Sequence, residues 1–219
     1  MALTKVTGTQ VAIASAYSTA KTFTTLSNAA EAVAAMAAGH ALAVGDYVEI
    51  TSGWGLLHAR IARVKTVAGD NVTLEGMNTT DTNLYPAGAG AGSLRKITTW
   101  TPITQITKDG GISSSGGEPK YTPASTIDDD DDKEIPDGRT ATKLQIKVYD
   151  DPSLAWYPIV DAISDADQVA ALRLTAKNGS KTLANGYWSV PKTPSIQSGQ
   201  VNSLTISFGA ISRPTRYAT

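Results

Sequence analysis

The 219-residue chain has no cysteine, which excludes a disulfide framework, thiolate metal sites and cysteine nucleophiles together. It has only two histidines, His40 and His58, so imidazole-based metal binding or acid–base catalysis lacks the partners that such a site requires. Neither sign of charge dominates: Lys plus Arg number 19 against 20 for Asp plus Glu, a net charge of -1, which gives no general attraction for nucleic acid or a membrane surface. No stretch approaches the roughly 20 apolar residues that span a bilayer. Residues 1–10 lack the charged start and apolar run of a secretory signal, so a soluble chain made in a cytoplasm, with no membrane partner, is expected. The sequons at Asn71, Asn78 and Asn178 carry no weight in a chain so rich in Ser and Thr.

What remains suits strands. Aromatics are only 6% while glycines number 19, and Thr, Ser, Val and Ile recur in short runs, a composition of many strands joined by tight turns. Residues 7–15 alternate Val11 and Ile13 with smaller side chains and read as a first strand. Residues 28–39 are Ala-rich, which favours helix by propensity, with Gly39 as a cap; the turn at Gly45–Asp46 and the alternation that follows favour a strand running into a turn. Ile61, Val64 and Val67, the turn at Gly69–Asp70 and Val72 to Glu75 form a hairpin pattern. Strands this closely spaced predict a small β-barrel-like module over residues 22–97. Glycines 88, 90 and 92 lack the Lys-Ser or Lys-Thr of a phosphate loop and read as a connector, as do Ser113 to Ser115 with Gly116–Gly117.

The remainder alternates differently. Leu144, Ile146 and Val148 face one way and Lys143, Gln145, Lys147 and Tyr149 the other, the pattern of a half-exposed strand. Asp151–Pro152 predicts the cap and first-turn proline of a short helix carrying Leu154, Trp156, Ile159, Val160 and Ile163, kinked or split by Pro158. Strands over 170–176, 182–190 and 201–211 follow, with a turn at Asn178–Gly179.

Between these parts lie Asp128, Asp129, Asp130, Asp131 and Asp132, then Lys133 and Glu134. Five adjacent carboxylates repel one another and cannot enter a sheet or a core, so this is a solvated loop. It reads as a bland surface loop, as one presented to a neighbouring subunit or a lumen, or, least well, as a calcium site, since it lacks the spaced oxygens and turn glycine of an EF-hand. A floppy loop also cannot hold carboxylates at the fixed spacing that acid–base catalysis needs.

Two resemblances rest on these residues. The run from Ser27 to Thr51, with Gly39, His40, Leu42, Gly45, Asp46 and Val48, is similar to a small β domain that recurs inside phage structural proteins. The stretch over 103–152, and the order strand, acidic loop, strand, helix and three strands to Arg213–Pro214, resembles the tail tube proteins of long-tailed bacteriophages. That resemblance implies a mostly β, two-sheet sandwich or barrel tube domain with one flanking short helix, over 1–21 and 98–219, carrying the small β-barrel-like domain over 22–97 as an insertion on the tube exterior. It implies a non-enzymatic virion subunit without catalytic, cofactor or metal sites, assembled in the host cytoplasm into stacked hexameric rings whose lumen passes DNA without binding it specifically. Expected partners are the chain itself and the tape measure, tail terminator and tail-tip proteins. Asp128 to Glu134 is then a candidate inter-subunit or inter-ring loop. The rivals are a carbohydrate-binding β-sandwich using Trp54, Trp100, Trp156 and Trp188 as a platform, and another phage decoration or tail-tip protein.

Overall fold

The computed structural model describes residues 8–128 and 130–218. Among them are fifteen strands and one helix. The first seven strands are β1 (Gln10–Tyr17), β2 (Lys21–Leu26), β3 (Val33–Met36), β4 (Tyr47–Ser52), β5 (Ile61–Ala68), β6 (Asn71–Leu74) and β7 (Gly92–Ile103). The Ala-rich segment is therefore a strand, β3. Its neighbours explain why: pairing runs β2-β3-β6-β5-β4-β7 and closes through β2–β7, a six-stranded antiparallel barrel. Ala34 pairs with Leu26 of β2 and Val72 of β6 and has no exposed surface, so tertiary pairing and packing override helix propensity. Phe23, Val48, Ile50, Val64, Val72, Leu74 and Leu94 complete the barrel core. Trp54 and Leu57, from the turns after β4, plug it.

The other eight strands are β8 (Ile112–Ser115), β9 (Pro119–Pro123), β10 (Glu134–Arg139), β11 (Lys143–Tyr149), β12 (Val169–Thr175), β13 (Lys181–Ser189), β14 (Ser203–Ala210) and β15 (Thr215–Tyr217), with α1 (Tyr157–Asp165) between β11 and β12. A second antiparallel system runs β7-β1-β12-β13-β14-β11-β8, and β15 extends β13. This sheet curls back on itself. The segment after β7 returns to β11 through an Ile106–Val148 bridge, with Thr107 N donating to Lys147 O at 2.9 Å and Tyr149 N to Gln105 O at 3.0 Å. The inward faces of β1, β11, β12, β13 and β14 close over Ile13, Ile146, Leu172, Trp188, Ile206 and Phe208, with Trp156 and Val160 from the helix side. Trp188 meets Phe208 edge to face at 5.0 Å and donates from Nε1 to Ala170 O at 3.0 Å.

Three sequence expectations need correcting. The helix does not start at Asp151–Pro152: residues 151–156 form turns, and Pro158 lies in the first turn of α1, where a missing N–H costs nothing and no kink arises. Asp151 instead accepts from Ser153 N and Oγ at 3.1 and 2.6 Å. Ser113 to Ser115 belong to β8 and not to a loop; the break comes at Gly116 and Gly117, at φ +80° and +83°, where a Cβ on Gly116 would lie 2.0 Å from Ala141 O. Finally, β15 follows the strand expected to be last.

Candidate functional site

Among the described residues, an arm stands exposed along its whole length. Beyond the Gly116–Gly117 bend the β8–β11 pair continues outward as the β9–β10 hairpin, paired from Arg139↔Pro119 to Glu134↔Pro123 with a register shift between Pro136 and Arg139. Every residue of both strands is exposed, including Tyr121 and Ile135. Thr122 Oγ1 donates to Asp137 Oδ2 at 3.2 Å across the pair. At the tip, Ala124 N donates to Lys133 O at 2.8 Å and Lys133 N to Ser125 Oγ at 2.7 Å. Asp128, Asp130, Asp131 and Asp132 are all exposed there, beside the fully exposed Ile127; Asp129 lies outside the described residues. Glu134 begins β10. The acidic run is thus the tip of a projecting hairpin.

Beside the root of the arm, the outer face of β8, β11 and β14 is uncovered. Ser113 and Ser115, Lys143, Gln145 and Tyr149, and Thr205 and Ser207 are exposed on it, while Leu144, Ile146, Val148, Leu204, Ile206 and Phe208 point into the core. The alternation read from sequence for 143–149 is the observed one.

The outer face of β1, β12 and the first half of β13 is covered by the barrel instead. Ala14, Ile61, Ile97, Ala171, Leu183 and Tyr217 pack there, with Tyr17, Tyr47 and Trp100 around them. A polar network binds the two units. Glu49 on β4 accepts from Asn185 Nδ2 on β13 at 2.9 Å and pairs with Arg95, whose guanidinium lies 4.0 Å from the Tyr17 ring centroid. The Tyr17 hydroxyl accepts from Ala171 N at 2.9 Å, and the Tyr217 hydroxyl accepts from Arg63 N at 2.8 Å. Burial pushes both phenols up to about 12. The Arg63–Glu75 ion pair, at 2.5 Å, holds the Glu75 carboxyl below its ordinary range.

The other motif residues have local structural roles. His40 Nδ1 accepts from Leu42 N at 3.0 Å and Nε2 lies 3.2 Å from Gly69 O, so the ring ties two turns together. The glycine-rich connector carries no phosphate cradle; a Cβ on Gly90 would lie 2.9 Å from the Trp54 indole. Trp54, Trp156 and Trp188 are at most 3% exposed, and Trp100 lies under Arg173 at 4.7 Å, so no tryptophan platform forms. Among the described residues no group of three or more His, Asp or Glu is placed to hold a metal, and no helix is long and apolar enough to cross a membrane.

Sequence reasoning missed the arm strands, whose three prolines and Gly138 are strand breakers, and the junction network, whose members are remote in sequence. No curated protein matches the chain. Residues 52–219, well over half of the chain, match the family described as phage tail tube protein, TTP, a match that takes in part of the barrel, the arm and all of the curled sheet but β1. The chain belongs to the phage tail tube protein family and is a structural component of a bacteriophage tail.

Proposed function

We propose that this chain polymerises into stacked hexameric rings forming the channel through which DNA leaves the virion, acting as a non-enzymatic structural subunit without a cofactor. In this reading residues 1–21 and 98–219 form the tube wall and the barrel over 22–97 sits on the exterior. The arm carries the argument. A lone two-stranded hairpin is marginally stable in water, and both strand edges and both faces of this one lack cover. Such edges are hidden by closure against neighbouring copies, which makes Asp128, Asp130, Asp131, Asp132, Lys133 and Glu134 inter-subunit or inter-ring residues. The uncovered β8–β11–β14 face suits the lumen: it presents small hydroxyl side chains and only a few lysines, and phosphate attraction grows with each cationic contact, so DNA slides without specific binding. The tape measure, terminator and tail-tip proteins are the further partners, and assembly takes place in the host cytoplasm.

The test is negative-stain microscopy of the purified protein, with and without residues 118–139. Gly117 N already donates to Thr140 O at 3.0 Å, so an Asn-Gly pair in place of residues 118–139 joins the two strand ends as a two-residue hairpin loop. The full chain is expected to form rings or tubes, and the armless chain to melt at the same temperature yet stay monomeric. A full chain that remains monomeric when concentrated, or tubes formed without the arm, would overturn the reading.

A further inference from the structure

The root of the arm holds a cleft of about 580 Å³ between the end of β10, the Gly117 bend and the β14–β15 corner, walled by Gly117, Arg139, Thr142, Ile211, Arg213 and Pro214. Its charged lining is Arg139 and Arg213, with no carboxylate. Arg139 Nη1 donates to Gly117 O at 3.1 Å. Both arginines are exposed, and neither forms an ion pair within 4.0 Å among the described residues. Ile211 is 46% exposed beside them. The cleft therefore presents two unneutralised guanidiniums next to an uncovered aliphatic side chain.

The complementary surface is at the far end of the same arm, where Ile127 stands exposed beside Asp128, Asp130, Asp131 and Asp132. It cannot reach its own cleft: the strand pairing from Pro119↔Arg139 to Pro123↔Glu134 separates the two, roughly 15 Å of extended backbone. We propose that the cleft receives the acidic arm tip of a second copy of this chain, the aspartates pairing with Arg139 and Arg213 and Ile127 covering Ile211. This rests on the self-assembling role above and names the surface that accepts the arm. Where tip and cleft of one subunit engage different neighbours the contact is heterologous: each subunit gives one arm and takes one, which propagates into a closed ring or a helical stack. Exposed ion pairs are individually weak and screened by salt, so the contact draws strength from repetition around the assembly and weakens as ionic strength rises.

Charge exchange in the full chain tests this. D128K/D130K/D131K/D132K and R139E/R213E should each raise the concentration needed for assembly by about tenfold or more, since several opposed pairs become like-charged, while melting as wild type because all six positions are exposed. An equimolar mixture of the two, or one chain carrying all six changes, should recover assembly. Because the chain has no native cysteine, oxidised tubes of D131C/R213C should give a ladder of linked subunits that neither single variant gives. Assembly unaffected by either set of reversals, no recovery on combining them, or no ladder from oxidised D131C/R213C tubes would overturn the proposal while leaving the tube reading standing. A wild-type chain that never assembles would instead overturn the tube reading.

Discussion

Tyr17→Phe isolates one atom at the junction between barrel and sheet. Strand β1 pairs with β12 only from Gln10 to Ile13, and a register shift between Ala14 and Tyr17 turns the chain so that the Tyr17 hydroxyl takes the Ala171 amide at 2.9 Å. Ala171 has no exposed surface, so no water replaces the lost acceptor. Leaving a buried N–H without its partner costs about 1–3 kcal/mol, and a chain of this size loses about 2–4 °C of melting temperature per kcal/mol. Calorimetry should therefore show a fall of about 2–12 °C, and amide exchange at Ala171 should quicken. Alkaline titration gives an independent reading. The phenol sits near 12 in the folded protein, mainly through burial, against an ordinary value of 10.0, so the folded state holds a proton that the unfolded state releases. Its contribution is complete below pH 10 and is lost as pH rises from 10 to 12, at about 1.4 kcal/mol per unit. The Phe variant should lack that part of the decline. Melting within 1 °C of wild type, with Ala171 exchange unchanged, would refute the reasoning.

Gly186→Ala places a Cβ 2.1 Å from Gly209 O and 2.8 Å from the Phe208 ring, and is expected to cost about 2 kcal/mol or more through overpacking, measured by urea unfolding. Glu49→Ala deprives Asn185 Nδ2 and Arg95 of a shared carboxylate; a loss of about 1–3 kcal/mol with faster exchange along β4 should follow, and a neutral result would show that the apolar contacts alone hold the junction. Titration with oligosaccharides should leave tryptophan fluorescence unchanged, because Trp54, Trp156 and Trp188 are buried; a saturable change would revive the carbohydrate-binding reading.

The parts of this fold legible in the sequence were those set by local alternation. Leu144, Ile146 and Val148 announce their face because a period of two is written in adjacent residues. The Ala-rich strand was harder, since its propensity argues for helix and only the turns around it argue otherwise; the decisive fact, its pairing with β2 on one side and β6 on the other, belongs to the tertiary structure. The helix start was displaced because Asp151–Pro152 and Trp156–Tyr157–Pro158 are competing first turns, and burial of Trp156 and Val160 against the sheet selects the second. The arm was hidden for the opposite reason. Its prolines are tolerated because the hairpin has two free outer edges, where a missing N–H breaks no ladder. The acidic run announced its exposure through charge repulsion alone, but the cleft at the arm root joins residues 117, 139 and 213, which no sequence window contains.

Strand β7 pairs with β2 and β4 over its first residues and with β1 over its last. A decoration tethered by a linker is a cassette that evolution or an engineer can delete; this barrel is not so attached, because the one strand β7 serves β2 and β4 over residues 92–96 and β1 over residues 97–103, and excision would cut that strand in two. Modification is therefore confined to its turns. A peptide grafted at the Gly69–Asp70 turn between β5 and β6 would point along the same bearing in every subunit, since no hinge intervenes between it and the body.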